Sequence, residues 1–374
     1  MSIYAVLSSA ANTIVGILTT GNPRRVLGPD DKVVLLQDYD LVKKLSPEYT
    51  RHIADAIARW QRDNRGKPNV VIHSFPQQRP LTADNPLPPQ LAADIATAQF
   101  VIGTYGNPGN EIFRAESSQV NAGLLVPVQG RIHAPDFKAY AVAARPVESG
   151  LVALADTDAI TQARSLGLGI KAYLEAHRGE QMTVETKRKK FRVMIPHEYP
   201  IIADCFQMTE EPMINIPGGE TFFKPENSSG TVVLHDGAFY QLTDPVEGIV
   251  CLYFKKGQVV KVTEDAAGRR IADIIREHFK DPRNTFLAEM AIGTFEGALQ
   301  MPLADRIYQK TCLEKIFGWH FAYGDSHGMT GNLKAHEASV HVDTACTYGR
   351  ITVGREVILE QGKPQVDVFR PYMR

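Results

Sequence analysis

Several things are scarce in this sequence, and each scarcity closes off a class of function. Cysteine is rare: Cys205, Cys251, Cys312 and Cys346 lie far apart and form no Cys-x-x-Cys pair. That argues against a zinc ribbon or a disulfide framework and fits a reduced, cytoplasmic chain with buried thiols. Neither charge is in excess. The 41 Lys and Arg against 42 Asp and Glu give a formal net charge of −1, so no broad basic surface for nucleic acid is implied. Long apolar runs are also missing. The least charged stretch, Ile3 to Thr20, contains Ser8, Ser9, Asn12 and Thr13, and its basic pair, Arg24 and Arg25, comes after it. It is too polar to span a bilayer and in the wrong order for a secretory signal, so it is expected to be a buried N-terminal helix. The Gly-rich stretch GTYGNPGN matches neither a dinucleotide fingerprint nor a P-loop and reads as a turn with no cofactor attached.

What the chain does have is histidine in the right company. Of 11 His in 374 residues, His320, His327, His336 and His341 fall between Glu289 and Asp343, together with Glu314. Imidazole and carboxylate are the side chains that hold Zn²⁺, Mn²⁺, Co²⁺ or Fe²⁺. His341 and Asp343 are two residues apart in a β-like run, which sends both side chains from one face of a strand. His320 sits inside WHFAYG, an apolar run where an unpartnered imidazole would be out of place. Any one of these histidines alone reads as ordinary. The set, with carboxylates embedded in apolar runs, reads as a metal site.

Length and pattern give the frame. At 374 residues, with 44% hydrophobic and 22% charged residues, two globular domains are expected. The predicted elements of the first half are a strand at KVVLLQD, a helix capped by Ser46-Pro47 with Ile53, Ile57 and Trp60 on one face, and a strand at NVVIHSF. A helix over Leu91 to Ala98 and a strand at FVIGTYG follow. That alternation means βαβ units and a mainly parallel α/β sheet, placed over residues 1–185. Residues 186–374 read as a β-rich α+β domain of hairpins. Glu220 is delivered by a Pro-Gly-Gly turn, and Asp265 to Lys280 forms one amphipathic helix with Ile271, Ile274, Ile275 and Phe279 inward. The basic run Lys187 to Lys190 beside an apolar strand reads as a solvated sheet edge.

Taken in order, PGGE (Glu220), FKKGQVV, AEMAIG (Glu289), LEK (Glu314), HFAYGD (His320) and HVD (His341, Asp343) resemble the C-terminal domain of the M29 metallo-aminopeptidases, the aminopeptidase T or thermophilic metalloprotease family. The resemblance covers Ile214 to about Pro364; over the first half it is one of general α/β pattern. It implies a homodimer and a pair of divalent metals (Zn, Co or Mn) bound by Glu, Glu, His, Tyr, His and Asp. Carried over by position, Glu220 and Glu289 fall on the glutamate ligands, with Glu289 bridging. His320, His341 and Asp343 fall on the other ligands, and Glu314 falls on the glutamate of the family's DEK motif, as a proton shuttle. The chain departs from the family in three places. His327 stands where the family has Tyr, seven residues after the first His; LEK is one residue closer to His320; and the loop GDSHGMTGNLKAHEAS differs. The activity implied is hydrolysis of an N-terminal residue or a small amide by a metal-activated hydroxide.

Two other readings compete. Ring-opening dioxygenases of dihydroxypyridines share this fold and bind one Fe²⁺ through two His and one Asp. Their resemblance implies a His where this chain has Glu289, which favours the hydrolase. The third reading is a non-catalytic relative; the metal-capable positions are all still occupied by ligand-type residues, which weighs against it.

Overall fold

The structure is a computed structural model that describes residues 2–24, 26–38, 45–75, 89–104, 139–143, 148–208, 213–242, 244–303, 310–326, 329–330 and 333–373. The chain divides into two compact units. One comprises Met1–Asp158, Phe206–Gly218 and Gln300–Thr311, the other Ala159–Cys205, Gly219–Leu299 and Cys312–Arg374.

The first unit holds a five-stranded sheet in the order β2-β1-β3-β4-β8. Its strands are β1 (Val33–Asp38), β2 (Val70–Phe75), β3 (Phe100–Thr104), β4 (Ala139–Ala143) and β8 (Met213–Ile216). Every pairing in it is parallel. Val33 to Leu36 are fully buried, as the near-continuous apolar run of a strand covered on both faces requires. The N-terminal stretch is the expected helix, Ile3–Leu18, with Leu7, Ala10, Ile14 and Leu18 inaccessible. The helix expected to open at Ser46 runs over Leu45–Asp63 and buries Ile53 and Ile57. The Gly-rich turn after β3 lies outside the described residues.

The second unit is built from two antiparallel sheets. The larger has the order β14-β13-β10-β6-β5-β18-β19-β20. Its strands are β5 (Gln181–Thr186), β6 (Lys189–Met194), β10 (Ser228–Leu234), β13 (Val250–Lys255), β14 (Gln258–Glu264), β18 (Arg350–Val353), β19 (Glu356–Glu360) and β20 (Lys363–Pro364). The other has the order β12-β11-β17-β16-β15-β9-β7. Its strands are β7 (Ile201–Asp204), β9 (Glu220–Phe223), β11 (Ala238–Tyr240), β12 (Asp244–Pro245), β15 (Leu287–Gly293), β16 (Gly318–Gly324) and β17 (His341–Cys346). The two sheets share one core. Phe191, Leu252 and Phe254 come from the first, and Met290, Ile292, Trp319, Phe321 and Val342 from the second. Phe254 crosses between them, meeting the edge of Phe321 with ring centroids 6.2 Å apart. The helix read over Asp265 to Lys280 occupies Arg269–His278 and buries Ile271 and Ile275. The Asp265 side chain ties down the turn before it by accepting from the backbone N–H groups of Ile249 and Gly268.

One expectation is corrected. The Lys187–Lys190 run is not a sheet edge: β5 and β6 are inner strands, and Lys187 and Arg188 form the two-residue tip of their hairpin, with φ of 44° and 63°. A right-handed sheet twist favours this kind of tip, with positive φ at both positions, and the exposed basic side chains are accommodated there without burial.

The packing that matters most for the site lies at Gly293. A Cβ built there would lie 1.8 Å from the carbonyl oxygen of Ile316, so the segment after the helix Lys310–Lys315 rests directly on β15. The Phe295 N–H donates to the Lys315 carbonyl at 2.8 Å and clamps that approach. Gly293→Ala is therefore expected to push the Lys315–Ile316 segment off the sheet and to destabilise the protein by about 1–3 kcal/mol. Urea unfolding reads this directly, and an unchanged midpoint would show that the segment is free to shift.

Candidate metal centre

The strands β15, β16 and β17 sort their side chains by alternation. Met290, Ile292, Trp319, Phe321, Tyr323, Val342 and Cys346 point into the shared core. The residues between them, Glu289, Ala291 and Gly293 on β15, His320 and Ala322 on β16, and His341, Asp343 and Ala345 on β17, belong to the opposite face. Register then fixes the neighbours: Glu289 and Asp343 both pair with Ala322, His320 lies between Ala291 and Ala345, and Glu220 on β9 pairs with Gly293. On β15, β16 and β17 the residues that alternate with the polar side chains on this face are Ala291, Gly293, Ala322 and Ala345. The small residues leave room above the sheet, and the polar groups converge in that room.

The convergence is tight. His320 Nε2 lies 3.3 Å from Glu289 Oε1 and 3.3 Å from Glu220 Oε2. His341 Nε2 lies 3.3 Å from Glu289 Oε2 and 3.2 Å from Asp343 Oδ1. Two overlapping groups result, Glu220–Glu289–His320 and Glu289–His341–Asp343, each offering ligand atoms within 4.8 Å of one another. Glu289 belongs to both, one oxygen to each. Gly219 makes the delivery of Glu220 possible: its φ of +123° suits only glycine, and its N–H donates to the Asp204 carbonyl while its own carbonyl accepts from Thr294.

Burial of so many ionisable groups shapes their proton affinities. Burial raises Glu220, more than Lys315 and His320 pull it down. Burial also acts to raise Glu289, but the bonds from His320 and His341 bring it below the usual carboxylate range. Burial opposes the charged form of His320, and Glu289 and Glu220 outweigh it, lifting the imidazole to about 9. His341 is raised in the same way, with Asp343 the main opponent of burial. Glu314 is pushed up to about 7 by burial, with Asp343 and Glu220 adding to the rise and Lys315 resisting it. Burial out of reach of water is the first influence on every one of these groups, and the neighbouring charges and hydrogen bonds decide the direction in which each moves.

A divalent cation fits this arrangement. Glu220, Glu289, Glu314 and Asp343 gather here with Lys315 as their ammonium, and Asp204 acts on that ammonium as well, so carboxylates outnumber it. Glu220 Oε2 is buried with no hydrogen-bond partner, a lone pair without a donor. His341 Nδ1 donates to the Asp325 carbonyl at 2.7 Å, which turns the Nε2 lone pair toward Glu289 and Asp343. This is the outer support that a metal-ligating histidine characteristically has.

Of the residues singled out in the sequence, the structure brings together Glu220, Glu289, His320, His341 and Asp343. Glu314 sits at their margin, its Oε2 3.0 Å from Lys315 Nζ. His327 lies outside the described residues. His336 is elsewhere, its Nε2 bonded to the Arg283 carbonyl at 2.7 Å. Sequence reasoning missed Lys315, the fully buried ammonium that pairs with both Glu220 and Glu314 and is held charged by them against burial. A signal for it existed: a lysine following Glu314 in a helix whose other residues, Cys312 and Leu313, are buried. The thiols are bystanders: Cys205 donates to the Glu220 carbonyl, and burial pushes Cys205 and Cys346 up to about 12.

In chelator-treated protein Glu314 makes stability depend on pH. Its folded value of about 7 exceeds its ordinary 4.5, so the stability it contributes is complete below 4.5 and is lost as pH rises through about 7. Glu314→Gln is expected to flatten that fall. Equilibrium unfolding at several pH values tests it, and a slope equal to that of the parent would remove Glu314 from the buried cluster.

No family model and no curated protein sequence matches the chain. Among the solved structures that match it, two align over nearly their whole length. The 2,5-dihydroxypyridine dioxygenase from Pseudomonas putida KT2440 superposes with a TM-score of 0.67 at 15% identity, over 97% of this chain and 98% of its own. Wild-type AmpT from Thermus thermophilus superposes with a TM-score of 0.60 at 15% identity, over 97% and 100%. The chain therefore has an M29-like fold, shared by both.

Proposed function

We propose that the chain is a metal-dependent hydrolase that releases an N-terminal residue from a peptide or cleaves a small amide, working as a homodimer with two divalent ions of zinc, cobalt or manganese. The observation that supports this best is Glu289, whose two oxygens face two different histidines, as a carboxylate shared by two ions must. Glu220, Glu289 and His320 would hold one ion, and Glu289, His341 and Asp343 the other. Bound there, the ions would supply Lewis acidity, acidifying a water and polarising the carbonyl to be attacked. The chain's own groups do the rest. Glu314, with its proton affinity near neutrality, suits the transfer of a proton from that water to the leaving amine. Lys315 opposes the burial that raises Glu220 and holds its carboxylate in place.

His327 is assigned the position of the family's tyrosine ligand. An imidazole binds metal well at neutral pH but yields to protons below about 6.5. His327→Tyr is thus expected to keep a loaded site and extend activity to lower pH, whereas His327→Ala loses metal or rate. A His327→Ala protein with the parent's metal content and pH–rate profile would reduce His327 to a loop residue.

The second reading, a mononuclear Fe²⁺ ring-cleaving dioxygenase, draws on the Glu289, His341 and Asp343 group, a Glu-His-Asp set able to hold a single iron, and on the likeness to the Pseudomonas enzyme. Metal analysis of purified protein separates the two. About two equivalents of zinc, cobalt or manganese per chain, with release of an N-terminal amino acid, is the expected result; one iron per chain, with oxygen uptake on a dihydroxypyridine, would replace it. Asp343→Ala is expected to lower metal content and cut activity by roughly a hundredfold or more while leaving the circular dichroism spectrum unchanged. Full occupancy in that variant would take Asp343 off the ligand set.

A further inference from the structure

The two groups that share Glu289 are not equivalent, and Lys315 is the main reason. Its side chain is fully buried, bonded to Glu220 and 3.0 Å from Glu314 Oε2. An ammonium thus touches the carboxylate of the Glu220–Glu289–His320 position, and a second cation arriving there meets it at short range with little solvent between. Glu220 Oε2 accepts no hydrogen bond and lies 3.3 Å from His320 Nε2, so the position stays usable, but against a neighbouring positive charge. A second observation points the same way. His341 has an outer support in the Asp325 carbonyl, whereas His320 Nδ1 is buried with no hydrogen-bond partner among the described residues. Outer partners of this kind are worth about 10–100-fold in metal affinity.

We infer that Lys315 makes the two metal positions unequal: the Glu289–His341–Asp343 position fills first and holds its ion, and the Glu220–Glu289–His320 position fills last and exchanges. This rests on the two-metal reading above. Lys315 is a positioning residue here, acting through Glu220. Its ammonium keeps the buried carboxylates compensated while the second position is empty, so the protein stays folded with a single ion bound. The consequence is that the second ion, and with it full activity, follows the free metal concentration.

The test is calorimetric titration of chelator-treated full-length protein with Mn²⁺ and, separately, Zn²⁺ against a competing chelator. The parent is expected to bind two ions in two steps, the second at least about tenfold weaker. Lys315→Met should tighten the second step by about tenfold or more and leave the first unchanged, while Lys315→Arg keeps the split. Two further variants locate the steps without touching Lys315: His320→Ala should lose the weak step only, and His341→Ala the tight one. Two equal steps in the parent, a split that survives in folded Lys315→Met, or a reversed assignment in the histidine variants overturns the inference and leaves the two-metal reading standing. A parent that binds one ion or none overturns both.

Discussion

Four carboxylates gathered at one buried site repel one another, and the protein around them is arranged to meet that repulsion. An unpaired buried carboxylate is one of the most destabilising groups a fold can contain. Here each has a cationic or polar neighbour: Lys315 for Glu220 and Glu314, His320 and His341 for Glu289, His341 for Asp343. Even so, negative charge exceeds positive. That surplus suits a divalent cation, and burial, with Asp343 and Glu220 adding to it, lifts Glu314 to about 7.

The sheet supplies the rigidity this requires. Strands β15 and β16 are buried along their whole length, on both faces. One face carries the aromatic and aliphatic side chains that pack on the second sheet, so the strands cannot slip register without exposing that core. The other face inherits its geometry from the same register, and the Ala and Gly residues between the ligand-type side chains leave the space they occupy. The ligand-type residues are therefore placed by groups that never touch them.

The same scaffold occurs in a dioxygenase and in AmpT at 15% identity. A rigid row of positions above a sheet is indifferent to the chemistry performed there; which side chains stand in the row decides it. In this chain Glu289 stands at the centre of that row, one of its oxygens facing His320 and the other His341.

Alternation with a period of two was readable in AEMAIG, WHFAYG and HVD, because strand geometry sends neighbouring residues to opposite faces whatever else the chain does. That put His341 and Asp343 on one face, Glu289 and His320 stood out as ligand-type residues inside apolar runs, and the βαβ order of the first half sufficed for a parallel sheet. The amphipathic helix and the hairpin turns were legible for the same local reason. Other features depended on contacts between residues distant in the chain. Tertiary structure alone brought Lys315 under Glu220, 95 residues away in sequence. It turned the basic run Lys187–Lys190 into a hairpin tip between inner strands, and it returned the chain to the first sheet as β8. It also took His336 away from His320 and His341, to the Arg283 carbonyl. Sequence periodicity determines which face a side chain takes, because that is set by the backbone of its own strand; which charges meet across that face depends on how strands from separate parts of the chain pair, and only the folded protein decides it.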